Sequence, residues 1–183
     1  MMNRFIAYNM PKIELHCHLD GSMSVELTKK LLADMGEEYT KEELQEALTA
    51  PMDCPSLADY LKRFDLPLRC LQTKNGLRAA AEELALRAAK EQVKYLEVRF
   101  APSFSMQQGL SVKEIIESVN EGLKSAEAKR YIHTGILVCA MRNLDKETNL
   151  AMLKEAREFL GAGIVGCDLA GDEKAYPTSE FHE

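Results

Sequence analysis

The sequence predicts an α/β fold on three observations. Short apolar runs suited to strands recur along its 183 residues, capped amphipathic segments separate them, and Gly or Pro punctuates the joins. Strands that alternate with helices pair in parallel through right-handed crossovers.

The first strand spans 12–18, KIELHCH, and ends at an Asp20-Gly21 turn signal. A helix follows over 24–35, with Ser24 as N-cap and Gly36 beyond its end. Thr40, followed three residues later by Glu43, opens a second helix over 40–48, and a third short helix covers 56–64. The Ala-, Leu- and Glu-rich stretch 75–92 is a long helix that runs directly into a strand over 94–101, KYLEVRFA, closed by Pro102. The pattern then repeats with fewer interruptions. Helix 111–129 is capped by Ser111 with Glu114, strand 133–141 follows, helix 146–160 ends at Gly161 and Gly163, and a fourth strand covers 163–170.

Composition removes several function classes. The 46% hydrophobic content is enough to build a core. A net charge of -6, with Lys and Arg alternating with Glu along helical faces, argues against a phosphate-binding surface and so against nucleic acid as partner. No apolar run approaches the roughly 20 residues that cross a bilayer. The opening MMNRFIAYNM has no long apolar core with a cleavage site, so a cytoplasmic protein is expected. Five widely spaced cysteines, Cys17, Cys54, Cys70, Cys139 and Cys167, read as reduced thiols rather than a disulfide framework.

Two α/β architectures remain. A doubly wound sheet advertises a glycine-rich phosphate turn after its first strand, and HCHLDGS is not one. A (β/α)8 barrel places its chemistry at the C-terminal ends of its strands. That is where His16, His18 and Asp20 fall after the first strand, Arg99 in the second, and Asp168, Gly171, Asp172 and Glu173 around the end of the fourth. The barrel is the better match.

Alternate side chains of a strand share a face, so His16 and His18 point one way, with Asp20 if the extension continues, while Cys17 points the other. Two imidazoles at that spacing reach one ion with little backbone strain, and neutral imidazole suits zinc, iron, copper and nickel. Catalytic zinc generally takes three protein ligands plus water, so the pair by itself is incomplete.

The run MPKIELHCHLDGS resembles the first strand of the adenosine deaminase family, within the metal-dependent amidohydrolase superfamily. The resemblance continues through SLADYLKRFDL, YLEVRFAP and GCDLAGDE, in that order and over nearly the whole chain. It implies a (β/α)8 barrel that binds one zinc and hydrolyses the 6-amino group of adenosine, giving inosine and ammonia. It further implies His16 and His18 as zinc ligands, with His18 also facing substrate. Asp20 would accept a hydrogen bond from the ribose 5′-hydroxyl, and Gly171 would offer its backbone N–H to the purine N3. Tyr60, Leu61 and Phe64 match the helix that gates the pocket, inside a helical lid insertion over about 23–72. Glu97 and Arg99 share a strand face and read as a structural ion pair, while Asp168 and Glu173 stay open between pairing and a part in the site. A cytidine-deaminase type of site is excluded, because no H-x-E is combined with P-C-x-x-C.

The family pattern also includes an H-A-G-E motif after a fifth strand, a histidine after a sixth and an aspartate after an eighth. None of these occurs here, so no catalytic residue is expected in this chain. His182 and Glu183 lack the Ala-Gly spacing and read as the start of a next helix. A barrel typically takes about 250 residues, and its first four strands alone leave two open parallel edges. The expectation is therefore an N-terminal half-barrel over 1–183 whose parent is a zinc-dependent adenosine deaminase, the chain by itself being inactive. The alternative is a non-catalytic half-barrel that self-associates through its sheet edges or pairs with a separate C-terminal chain. Adenine or a modified purine nucleoside is the alternative substrate.

Overall fold

Four strands, β1 (Lys12–His18), β2 (Val93–Phe100), β3 (His133–Met141) and β4 (Ile164–Ala170), form one parallel sheet in the order β1-β2-β3-β4. The structure is a computed structural model and describes residues 3–181. Sheet order equal to chain order means that every right-handed crossover steps the same way, so the crossover helices all lie on one face. A doubly wound sheet would reverse direction and cover both faces. The order is that of half a (β/α)8 barrel.

The helices are α1 (Arg4–Asn9), α2 (Val25–Asp34), α3 (Lys41–Leu48), α4 (Leu57–Leu61), α5 (Asp65–Cys70), α6 (Lys74–Lys90), α7 (Val112–Lys129) and α8 (Lys146–Ala156). Seven of them begin where a side-chain oxygen accepts a backbone N–H of the first turn: from Asn3, Ser24, Thr40, Ser56, Thr73, Ser111 and Asp145. At Thr40 and Ser111 the box is reciprocal, Glu43 and Glu114 reaching back to the cap residue's own N–H. Helix α5 is the exception. It follows a 3-10 turn over Lys62–Phe64 without a side-chain cap, and it tolerates Pro67 because first-turn N–H groups have no intrahelical partner.

The core lies between the sheet and its crossover helices. Leu96, Val98, Phe100, Ile136 and Val138 point outward from the strands and are buried with Leu77, Ala81 and Leu84 of α6 and Ile115, Ile116, Val119 and Leu123 of α7. Each fully buried aliphatic side chain of this kind contributes about 1.5–3 kcal/mol relative to exposure. Helices α2 to α5 are inserted between β1 and α6, and Leu31, Leu32, Leu44, Cys70 and Leu71 join the same apolar cluster. The insertion is fused to the barrel wall.

Both sheet edges carry apolar side chains open to solvent: Ile13 (69% exposed) and Leu15 (54%) on β1, and Val165 (46%) on β4. Ladder irregularities mark the same strands. Between Glu14 and Cys17 the β1–β2 register shifts, and the Glu14 carboxylate accepts the His16 N–H at 2.9 Å.

The first and third strands have the expected bounds. Two helices were not expected: α1, a single short run held by Asn3, and α5, which lacks a side-chain cap. The expected helix 56–64 is α4 plus a 3-10 turn, and the expected helix 146–160 gives way at Arg157–Phe159 to another. Among the described residues no helix is long and apolar enough to cross a membrane. His182 and Glu183 lie outside the described residues.

Candidate active site

The C-terminal ends of all four strands open into one cleft of about 550 Å³. His18 and Asp20 line it from the end of β1, Phe100 and Ala101 from β2, Cys139 and Met141 from β3, and Ala170, Gly171 and Asp172 from β4. Leu61, Phe64 and Leu68 of the insertion close one side.

Strand pleat sets the first group. His16 and His18 share a face of β1 with ring centroids 5.5 Å apart, and His18 Nδ1 lies 3.8 Å from the Asp20 carboxylate. Asp20 opens a 3-10 turn over Asp20–Ser22, where its own carboxylate accepts the Gly21 N–H at 2.9 Å. Leu19, fully buried, plugs the turn into the core, and its N–H bonds to the Arg99 carbonyl at 3.0 Å. Gly21 lies close against the insertion. A Cβ there would meet Phe64 Cε1 at 3.0 Å, so the Phe64 ring reaches the His18 ring, 6.1 Å between centroids, across a position without a side chain.

The expected gate residues divide. Leu61 and Phe64 line the cleft, while Tyr60 packs edge-on against Phe64 at 5.6 Å and lines a small recess behind it. Gly171 stands at the opposite wall with φ +122, a left-handed conformation that favours glycine.

His16 is exposed and lies outside the cleft lining. The Arg99 guanidinium meets it, Nη1 lying 2.7 Å from Nε2 and 3.1 Å from Nδ1, and Nη2 donates to Asp168 on β4. Arg99 is 5% exposed. This corrects the expected Glu97–Arg99 pair: Glu97 instead accepts the Tyr95 hydroxyl at 2.8 Å. Same-face neighbours on a strand stand roughly 7 Å apart along it. The small Cys139 side chain on the intervening strand lets the guanidinium cross to β4, and burial there pushes the Cys139 thiol up, with Arg99 opposing. Glu173 pairs with Arg142 at 3.3 Å.

Two imidazoles on one strand face are nitrogen donors of the kind a zinc ion takes, so the residues present fit part of a metal site. Among the described residues no three His, Cys, Asp or Glu side chains converge into a complete one.

The sequence matches the adenosine deaminase family over residues 11–183. The chain belongs to the adenosine deaminase family. It is 42% identical over 168 residues to an adenosine deaminase of Clostridium perfringens, covering 90% of this chain and 51% of that one. It is 44% identical over 171 residues to an adenosine deaminase of Streptococcus thermophilus, covering 92% and 51%. The N6-methyl-AMP deaminase from Arabidopsis thaliana superposes with a TM-score of 0.72 at 28% identity, covering 91% of this chain and 50% of that one. An amidohydrolase from Burkhoderia ambifaria with bound Zn superposes at 0.83 with 17% identity, covering 99% and 50%, a likeness of fold. The chain spans about half the length of the curated relatives it matches.

Several cleft residues of this deaminase-family chain escape a motif reading: Leu68, Phe104, Gln107, Asn143 and Tyr176. The signal that finds Phe104, Gln107, Asn143 and Tyr176 is position, since each lies in the loop that follows a barrel strand. Leu68 comes from α5, a short helix that no side-chain cap announces.

Proposed function

We propose that the chain supplies half of a zinc-dependent deaminase that hydrolyses adenosine to inosine and ammonia. The observation that carries this reading is the convergence of His18, Asp20, Leu61, Phe64 and Gly171, from three distant parts of the sequence, on one cleft at the strand ends. His16 and His18 hold the metal, Asp20 accepts the ribose 5′-hydroxyl, and the Gly171 N–H meets the purine N3. Zinc bound there supplies a water activated near neutral pH. Leu61, Phe64 and Phe104 give the purine an apolar seat and exclude other water, the insertion serving as the lid.

The lining also supports an uncharged substrate. Asp20, Asp65 and Asp172 face the cleft and, among the described residues, no Lys or Arg lines it, so a phosphorylated nucleoside would meet like charge. Two imidazoles fall short of the three protein ligands of catalytic zinc. The 183-residue chain by itself is therefore proposed to bind zinc weakly and to turn over no adenosine, activity belonging to a complete barrel that contains it.

Absorbance loss on mixing with adenosine, read together with zinc content, tests both statements. The complete deaminase consumes adenosine, and His16→Ala removes both turnover and zinc. Retention of metal and turnover by His16→Ala sinks the ligand assignment. Rapid deamination by the 183-residue chain with stoichiometric zinc sinks the half-site reading.

A further inference from the structure

Gln72 lies outside every motif, in the short turn between α5 and α6, yet it is 4% exposed. Its amide is engaged on both sides. Nε2 donates to the Leu68 carbonyl at 2.7 Å and to the Phe104 carbonyl at 2.8 Å, and Oε1 accepts the Gln107 N–H at 3.1 Å. A primary amide has two N–H donors and a carbonyl oxygen, so both donors and the oxygen are used. The three partners belong to two chain segments, the insertion and the loop after β2, and Leu68, Phe104 and Gln107 all line the cleft.

We infer that Gln72 is a positioning residue that fixes the width of the cleft mouth by tying the lid insertion to the β2 loop. The inference rests on the proposal that the cleft holds the nucleoside. Gln72 itself does not line the cleft, so it acts through the segments it joins. No other natural side chain reproduces the bonds. Glu offers acceptors only and would face two carbonyls, Asn is one methylene shorter, and Leu matches the volume with no polar atom. Buried carbonyls stripped of their donor seek water, and water enters here by separating the two segments.

Two measurements test this on Gln72→Leu and Gln72→Glu. In the complete deaminase both variants are expected to raise KM for adenosine about tenfold while kcat stays within about twofold, the pattern of lost substrate positioning. In the 183-residue chain, amide exchange at Gln107 is expected to accelerate about tenfold in Gln72→Leu, which removes its acceptor, and to accelerate also in Gln72→Glu, whose carboxylate facing two carbonyls parts the segments. A merely structural role would lower the unfolding midpoint and speed exchange across the core while leaving KM in place. A folded Gln72→Leu with wild-type KM, or with Gln107 still protected, overturns the inference. A wild-type enzyme that leaves adenosine unchanged overturns the functional reading instead, and Gln107 exchange still decides whether Gln72 ties the segments.

Discussion

Gly171 is the residue at which backbone conformation and proposed chemistry meet. Its φ of +122 lies where L side chains are strained, while a Cβ would approach no atom closer than Arg142 Cβ at 3.4 Å. The position therefore has room for a methyl group but not the conformation for one. Gly171→Ala is expected to cost about 1–3 kcal/mol, read as a lower urea midpoint, and an unchanged midpoint would contradict the conformational argument. The histidine pair was legible in the sequence because its geometry is local: strand period alone places His16 and His18 on one face. The partner of Arg99 was not. Asp168 is 69 positions away, and its proximity depends on the β3–β4 register that sets Cys139 opposite Asp168. The pair expected from local sequence lost to one that only sheet assembly creates.

At the scale of elements, caps explain why most helix starts were readable and lengths less so. Ser111 and Glu114 show the interaction most fully. Lys74, followed by the Ser111 backbone and hydroxyl bonds, holds the Glu114 carboxyl well below the usual range, at about 2 against 4.5. A depressed carboxyl stabilises the fold above its unfolded value and loses that contribution as pH falls through the folded one. Glu114→Gln is thus expected to lower the thermal midpoint at pH 7 by a small amount and to lower it less near pH 2, where the carboxyl is already partly protonated. Equal losses at both pH values would show that the carboxylate charge is not the cause. What the sequence hid were short elements whose formation depends on tertiary contact. Helix α5 is only 6 residues long and lacks a side-chain cap, yet Pro67 and Cys70 are buried against the core. An isolated helix of that length is unstable in water, so packing decides it.

For the whole molecule, four parallel strands in chain order put every strand's C-terminal end on one rim, which is why residues from 18 to 176 share a cleft. The fold class followed from alternation alone. The sidedness of the sheet required its order, and the cleft's far wall required the turn after β4, where Arg142 donates to the Tyr176 carbonyl at 3.1 Å. The account as a whole stands on His16 and His18 holding a metal beside a nucleoside. The most direct measurement is a zinc-edge anomalous map from crystals of the protein grown with excess zinc and soaked with adenosine or inosine. The account predicts one peak about 2.0–2.1 Å from a nitrogen of each histidine, with purine density reaching Gly171 and ribose density at Asp20. A peak away from both rings, or nucleoside density outside this cleft, would contradict it.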